Sequence, residues 1–195
     1  MPQLLVLNHV TLDGVMQSPA LPDEDTRDGF PYGGWAGAGI DDVVIAKLAE
    51  GMARPGSGAL LLGRRTYENF YAYWPHQTNN PYTDALNNAT KYVASRTLQE
   101  PLPWVNSILL QGDAARAVAR LKQQHDHMLI MGSGELIRSL MAAHLIDEYL
   151  FMIHPLVLGT GRRLFSDGVH ASLRLTESIP TPSGVVMATY RTLRD

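Results

Sequence analysis

The chain has 195 residues, of which 45% are hydrophobic and 18% are charged, so it can bury the core of one large domain, and an extensively disordered chain is excluded. Its formal net charge of −3 gives no general attraction to nucleic acid or to an anionic membrane, and no apolar segment reaches the ~18 residues of a membrane span. The absence of cysteine excludes disulfides, thiolate nucleophiles and cysteine-bound zinc, and it fits a cytoplasmic location.

The N-terminal part of the chain predicts a buried strand followed by a long loop. Residues 4–7 are all apolar and lead through Asn-His-Val to an Asp-Gly turn at Asp13. Residues 17–39 carry proline, glycine, acidic residues and three aromatics, and we interpret them as a mobile flap beside a site, with an ordinary surface loop as the alternative. Asp41 and Asp42 then open a helix, where acidic residues also serve as ordinary caps.

A second buried strand, residues 59–62, ends in glycine and enters a short helix. Gly63 is followed by Arg64, Arg65 and Thr66 at the mouth of that helix. Guanidinium groups in this place supply a charge-assisted fork for phosphate. A solvated helix face is the alternative for the two arginines.

The middle of the chain contains a polar loop and two more strands. Residues 76–90 are rich in asparagine and are predicted to form a loop. A third strand, residues 92–94, ends in Ser95 and Arg96, which could bind another anionic group or could start a turn. A fourth strand is predicted over residues 106–110.

The pattern of a buried strand turning tightly into a helix is clearest at residues 128–137, with sequence MLIMGSGELI. Glycine at Gly132 and Gly134 lets the backbone approach a ligand closely. The following helix points its free N–H groups at the turn, which suits a pyrophosphate. A turn that needs glycine for its dihedral angles alone is the alternative.

The C-terminal part of the chain predicts a strand over residues 146–153 and an antiparallel hairpin of residues 173–179 and 185–193. Alternating strands and helices indicate an α/β fold with a mostly parallel sheet in a single domain over residues 1–195. In such sheets ligands bind outside the carboxyl ends of the strands. The three candidate anion contacts all follow strands, which predicts one extended phosphate-bearing ligand.

The segments Gly63-Arg-Arg-Thr-Tyr-Glu, Ala94-Ser-Arg and Gly132-Ser-Gly-Glu-Leu resemble the NADPH-binding elements of the dihydrofolate reductase fold. Thr11-Leu-Asp-Gly and His154-Pro-Leu-Val-Leu-Gly-Thr-Gly-Arg-Arg-Leu-Phe resemble the branch that includes the C-terminal reductase domain of the riboflavin-biosynthesis deaminase/reductase. The resemblance covers nearly the whole chain. It implies a three-layer dihydrofolate reductase-like fold with helices on both faces of the sheet and a C-terminal antiparallel hairpin.

The resemblance also implies NADPH as the cofactor and a set of binding residues. Arg64 would lie near the adenosine 2′-phosphate, and the turn at Gly132 would line the pyrophosphate and the nicotinamide side, with Gly132–Ser133 as a cis peptide. The implied cofactor-binding residues are Gly63, Arg64, Arg65, Thr66, Ser95, Arg96, Met131, Gly132, Ser133, Gly134, Glu135 and Leu136.

The expected activity is hydride transfer to a small heterocyclic or sugar-derived substrate, as in 5-amino-6-(5-phosphoribosylamino)uracil reductase. Asp13 is the candidate substrate contact, or a turn-forming residue, and Asp42 is the candidate proton donor, which would need burial to raise its pKa. The basic pair Arg162-Arg163 is the candidate for a substrate phosphate. No metal site is expected, and the branch implies a homodimer through the C-terminal strands. The alternatives are a dihydrofolate reductase and a non-catalytic nucleotide-binding module.

Overall fold

The computed structural model describes residues 3–52, 59–165 and 167–193. Its helices and strands are β1 Gln3–Thr11, α1 Asp42–Met52, β2 Ala59–Gly63, α2 Arg64–Tyr73, α3 Pro81–Asn88, β3 Thr90–Ala94, β4 Ser107–Leu110, α4 Ala114–Leu121, β5 His127–Met131, α5 Gly134–Ala142, β6 Glu148–His154, β7 Leu173–Pro180 and β8 Val186–Thr192. The eight strands form one mixed sheet in the order β4-β3-β2-β5-β1-β6-β8-β7. The predicted mostly parallel sheet with a C-terminal antiparallel hairpin is confirmed.

The chain divides into two compact units. The first unit consists of Met1–Leu5 and Ala49–Ile146, and the second unit consists of Val6–Leu48 and Asp147–Asp195. The single domain expected over residues 1–195 stays a prediction.

Parallel pairing in the first unit brings three strand ends into line. β2 pairs with β3 on one side, where Gly63 lies opposite Ala94, and with β5 on the other, where Leu61 lies opposite Ile130. Four of the five residues of β2 are buried, because a central parallel strand is covered on both faces. Burial of each leucine there contributes roughly 1.5–3 kcal/mol. The core of the unit therefore fixes where the loops after β2, β3 and β5 begin.

The polar loop predicted over residues 76–90 is wrong, because it contains helix α3. The Asn80 side chain caps this helix by accepting the backbone N–H of Tyr82, and Pro81 occupies the first helical position. Asparagine followed by proline is a helix-start signal, and it could have been recognised in the sequence.

A buried lysine joins α3 to the sheet. Lys91 is 0% exposed, and its ammonium group donates to the carbonyls of Leu86 and Ala89, both at 2.7 Å. Burial lowers the pKa of Lys91 to about 8. The ammonium group lies at the C-terminal end of α3, where the helix dipole favours a positive charge, and 4.6 Å from the centre of the Trp104 ring.

The second unit contains the antiparallel strands β6, β8 and β7 and the long segment of residues 17–39. Gln17 holds this segment through its side-chain nitrogen, which donates to the carbonyls of Asp25 and Arg27 at 3.1 and 3.0 Å. The Trp35 indole donates to the Gln17 carbonyl at 2.7 Å. Residues 17–39 are thus held by internal hydrogen bonds, which favours an ordered loop over the predicted mobile flap.

Helix α1 begins as expected, since Asp41 accepts the backbone N–H groups of Val43 and Val44. Its predicted end at residues 54–58 lies outside the described residues.

Candidate functional site

In the first unit the structure brings together the loops that were predicted to bind anions. Gly63 and Ala94 are direct partners in the parallel ladder, and the turn at residues 132–134 follows β5 on the other side of β2. The three segments therefore start from one edge of the sheet, at the carboxyl ends of neighbouring parallel strands. This edge is where open α/β sheets bind ligands.

Ser133 connects two of these segments directly. Its hydroxyl oxygen accepts the Gly63 backbone N–H at 2.8 Å and lies 2.9 Å from the Thr66 hydroxyl, to which it donates. A side chain in the turn after β5 thus fixes both the last residue of β2 and the first turn of α2. This contact links Gly63, Thr66 and Ser133, three residues of the expected cofactor set, into one corner.

The turn after β5 is formed by two successive left-handed residues. Gly132 has φ +58° and Ser133 has φ +63°. A Cβ on Gly132 would lie 3.0 Å from Thr66 Oγ1, which is a tight contact, and its positive φ is one that side chains rarely adopt, so both features favour glycine. Among the described residues the only cis peptide bond is Glu100–Pro101, so the expected cis bond between Gly132 and Ser133 is wrong. The two left-handed residues turn the chain through trans bonds instead.

Two helix N-termini open from this corner without a side-chain cap. Gly63 precedes α2, a helix of 10 residues, and Ser133 precedes α5, a helix of 9 residues; neither contributes a capping side chain. Helix N-termini leave backbone N–H groups that need acceptors, and their dipoles favour negative charge. Together with the cradle at Gly132, these groups fit a pyrophosphate.

The arginines of the first unit differ in their contacts. Arg64 lies 3.2 Å from the Glu68 carboxylate, and the two side chains are 40% and 42% exposed, so this ion pair is weak and easily opened. Arg65 and Arg96 are exposed and form no ion pair with another described residue. Positive charge is therefore available at the ends of both β2 and β3.

Ser95 has a structural role. Its hydroxyl oxygen accepts the backbone N–H groups of Thr97 and Leu98 at 3.1 and 3.0 Å. This is the turn-starting alternative that the sequence left open. The turn sets the direction of the chain next to Arg96.

The remaining residues of the expected cofactor set frame the turn after β5. Met131 and Leu136 are buried, and the Met131 sulfur lies 3.7 Å from the Tyr82 hydroxyl. Glu135 is exposed and pairs with Arg138 in the next turn of α5. The two apolar residues support the turn from the core, whereas Glu135 lies at its surface.

In the second unit the Asp13 carboxylate holds the loop after β6. It accepts the Thr11 hydroxyl at 2.6 Å and the backbone N–H groups of Leu158 and Gly159 at 3.2 and 2.9 Å. The hydrogen bond from Thr11 is the main cause that lowers the pKa of Asp13. These contacts favour a loop-positioning role over a substrate contact.

The two acidic residues at the start of α1, Asp41 and Asp42, have different surroundings. Besides capping the helix, Asp41 accepts the Ser183 backbone N–H at 3.0 Å. The backbone hydrogen bond from Val44 is the main cause that holds the pKa of Asp41 well below its usual range. Asp42 is exposed, so the burial that its expected role as proton donor requires is not present.

The basic pair Arg162-Arg163 is engaged within the second unit. Arg162 contacts the Asp28 carboxylate at 2.8 Å, and the Arg163 guanidinium donates to the Asp13 carbonyl at 2.9 Å. Both arginines thus join loops of their own unit. The substrate phosphate contact expected of them would have to share these groups.

A histidine pair in the second unit was missed by the sequence reasoning. His9 Nδ1 lies 2.9 Å from His154 Nε2, and the Trp35 ring packs edge-on against His154 with 5.1 Å between ring centres. Burial lowers the pKa of His9 to about 3, with a smaller effect from His154, and burial lowers the pKa of His154 to about 4. The two residues are 145 positions apart. No local sequence pattern could indicate that they meet.

None of the described helices has the length and apolar character needed to cross a bilayer. The part of the chain that the structure describes contains no cluster of three or more histidine, aspartate or glutamate side chains suited to a metal ion.

The chain is similar to known proteins over most of its length. The model of the RibD C-terminal domain family matches residues 2–187. The uncharacterized protein YyaP of Bacillus subtilis (strain 168) is 29% identical over 138 residues, which cover 67% of this chain and 72% of that protein.

Two solved structures extend the comparison to the fold. A putative riboflavin biosynthesis protein from Shewanella sp. PV-4 matches with a TM-score of 0.69 and 21% identity, over 98% of this chain and 99% of the other. Dihydrofolate reductase from Enterococcus faecalis, complexed with NADP(H) and RAB-propyl, matches with a TM-score of 0.57 and 14% identity, over 97% and 96% of the two chains. The chain therefore has a dihydrofolate reductase-like fold.

Proposed function

The chain belongs to the RibD C-terminal domain family, and from this premise we propose that it is an NADPH-dependent reductase. Its substrate would be a small heterocyclic or sugar-derived molecule, as for 5-amino-6-(5-phosphoribosylamino)uracil reductase. The proposal is supported by the alignment of the loops after β2, β3 and β5, which all start at the carboxyl ends of neighbouring parallel strands. Ser133 is hydrogen-bonded to Gly63 across two of these loops. An extended, multiply charged cofactor needs such a row of contacts.

The residues of the first unit fit the phosphates of NADPH. The uncapped N-termini of α2 and α5 offer backbone N–H groups to the pyrophosphate, and the Gly132 turn leaves room for close approach. Arg96 carries positive charge that no described residue neutralises, and Arg64 gives up only a weak surface pair when it turns to a phosphate. These two arginines are the proposed 2′-phosphate contacts.

Bound NADPH supplies the hydride, so the protein must orient the substrate, exclude water and provide a proton. In the second unit the carboxylates of Asp13 and Asp41 hold loop and helix backbone in place. Because both carboxylates are engaged by backbone groups, neither is available to bind a pterin. This weakens the alternative of a dihydrofolate reductase.

The proposal also includes a homodimer formed through the C-terminal strands. β7 is the last strand of the sheet, and Leu175 on it is 51% exposed. An unpaired edge with exposed apolar residues is a common site of association. Size-exclusion chromatography with light scattering at micromolar concentration tests this, and a monomer would contradict it. The cytoplasm stays the predicted location.

The experiment that tests the proposed activity follows NADPH absorbance while the purified chain is given a panel of substrates. The panel contains an aminouracil ribosyl phosphate, dihydrofolate and simple carbonyl compounds. Oxidation of NADPH with the aminouracil is the expected result, and oxidation with dihydrofolate alone would establish the folate alternative. Tight NADPH binding without oxidation by any compound would favour a nucleotide-binding module and contradict the reductase.

A further inference from the structure

His9 and His154 form a part-buried hydrogen-bonded pair, and neither ring has another hydrogen-bond partner among the described residues. His154 is 1% exposed, and His9 is partly exposed. The 2.9 Å contact between His9 Nδ1 and His154 Nε2 is the one hydrogen bond that either ring makes with a described residue. Each ring has a second nitrogen without a hydrogen-bond partner among the described residues, and of the two residues only His9 is partly exposed.

The pair lies at the carboxyl ends of two neighbouring strands. His154 is the last residue of β6, His9 is two residues from the end of β1, and the two strands are adjacent in the sheet. Strand ends of this kind carry the ligand sites of α/β sheets. The pair therefore lies at strand ends of the kind at which α/β sheets bind ligands.

Close packing fixes the orientation of His154. The Trp35 ring contacts it edge-on and is itself held by its hydrogen bond to the Gln17 carbonyl. A Cβ on Gly39 would lie 2.6 Å from His154 Nδ1, so the segment before α1 can approach His154 only because that residue is glycine. Functional side chains need such support to hold one rotamer. The groups on these neighbouring elements, Trp35 and Gly39, carry no charge.

Reduction of a polar double bond requires a proton as well as a hydride, and Asp13, Asp41 and Asp42 are poor sources. Hydrogen bonds keep Asp13 and Asp41 ionised, and Asp42 is exposed. A neutral imidazole can act instead through its N–H group, as an electrophile that stabilises developing negative charge. Burial keeps both rings of the pair neutral near pH 7, because it lowers the pKa of His9 and of His154.

We propose that His9 is the catalytic proton donor of the reduction and that His154 is the positioning residue that holds the proton on the outer nitrogen of His9. In this assignment His154 Nε2–H donates to His9 Nδ1, a direction that the 2.9 Å contact allows, and His9 then carries its own proton on Nε2. The hydride electron pair forms the new C–H bond as NADPH becomes NADP⁺. The π-bond electron pair of the substrate moves to the heteroatom, which takes the Nε2 proton of His9. The imidazolate that this leaves on His9 then regains a proton from water, which becomes hydroxide. This inference rests on the proposed reductase function.

The first test needs no substrate. Nitrogen-15 NMR of the histidine rings at pH 7 should show His9 protonated on Nε2 and His154 protonated on Nε2, with His9 Nδ1 as an acceptor. A His9 ring protonated on Nδ1 would overturn the assignment, because its outer nitrogen could then only accept. The His154→Leu variant should let His9 exchange between its two tautomers.

The second test uses the panel compound that the native chain reduces. His9→Leu should lower kcat by roughly 10²-fold or more, within the range found for general acids. His154→Leu should also lower kcat and reduce the solvent deuterium isotope effect, whereas His154→Gln should recover much of both, since its amide N–H can replace His154 Nε2–H. A residue that only fills space would tolerate leucine at least as well as glutamine. His76→Gln, at an exposed histidine, is the control.

The outcomes separate this inference from the function on which it rests. Full turnover and an unchanged isotope effect in both leucine variants would overturn the proton role and leave the reductase intact. Absence of NADPH oxidation by the native chain across the panel would overturn the reductase, and the proton role with it.

Discussion

The hydroxyl oxygen of Ser133 accepts the backbone N–H of Gly63 at 2.8 Å, although 70 residues separate them. The contact joins the end of β2 to the turn after β5. It also orients the first turn of α2, because the same hydroxyl lies 2.9 Å from Thr66 Oγ1. The proposed cofactor corner therefore depends on one side chain.

Two substitutions of Ser133 should distinguish the contribution of its hydroxyl to stability from the cost of its left-handed backbone conformation. Ser133→Ala removes the acceptor of the Gly63 N–H and should destabilise the chain by roughly 1–3 kcal/mol, the usual effect of leaving a partly buried donor unsatisfied. Ser133→Gly loses the same hydrogen bond but relieves the left-handed φ of +63°, so it should be more stable than the alanine variant. Urea unfolding measures both, with Ser139→Ala on the exposed face of α5 as the control. Equal stability of native and alanine proteins would contradict the role of the hydroxyl.

Gly132→Ala should lower thermal stability and NADPH affinity more than Gly112→Ala does. Both glycines have positive φ, +58° and +76°, so alanine adds a strain of about 1–2 kcal/mol at either position. Only Gly132 has a neighbour in the way, because its Cβ would meet Thr66 Oγ1 at 3.0 Å, whereas nothing lies within 4 Å at Gly112. Thermal unfolding and NADPH titration of the two variants should show a larger loss of stability, and a loss of affinity, at Gly132 alone. Equal losses of stability in the two variants would mean that the Thr66 side chain moves away from the added Cβ at little cost.

Much of the cofactor corner could be predicted from sequence because its signals are local. A buried strand that ends in glycine before a helix identifies β2 and β5, and parallel pairing then aligns their ends without further information. The His9–His154 pair joins residues 145 positions apart, and Asp13 binds backbone N–H groups of a distant loop, so only the fold brings these partners together.

The free energy of unfolding should fall when the pH is lowered from 6.5 to about 4. Burial keeps the pKa of His9 at about 3 and that of His154 at about 4, against 6.5 for an ordinary histidine. The unfolded chain therefore binds protons in this range that the folded chain does not, so stability is complete above pH 6.5 and is lost below it. Each such histidine contributes up to ~1.4 kcal/mol per pH unit.

Urea unfolding of the native chain at several pH values measures this slope. His154→Leu should show a shallower pH dependence, because one of the two groups is gone, while His76→Gln at an exposed position should follow the native curve. Parallel curves for the native chain and His154→Leu would exclude the pair as the cause.

Glu68→Gln should strengthen NADPH binding by roughly 2-fold, the equivalent of an exposed ion pair of ~0.3–0.5 kcal/mol. Glu68 holds the Arg64 guanidinium at 3.2 Å in the free chain and competes with a phosphate for it. NADH, which lacks the 2′-phosphate, should bind unchanged. Asp84→Asn, which removes an exposed negative charge on α3, is the control. Weaker NADPH binding by Glu68→Gln would mean that the carboxylate orients Arg64 for the cofactor.

The most direct measurement of the proposed cofactor site is calorimetric titration of NADPH and NADH into the native, Arg64→Ala and Arg96→Ala proteins. Arg120→Ala, on the exposed face of α4, is the charge-matched control. The native chain should bind NADPH with higher affinity than NADH. Arg64→Ala and Arg96→Ala should each lower the affinity for NADPH roughly 10–150-fold, as expected for loss of a charge-assisted contact of ~1.5–3 kcal/mol. Arg120→Ala should leave the affinity for NADPH unchanged. Equal affinity of the native chain for the two cofactors, or no binding of either, would contradict a 2′-phosphate site at the ends of β2 and β3.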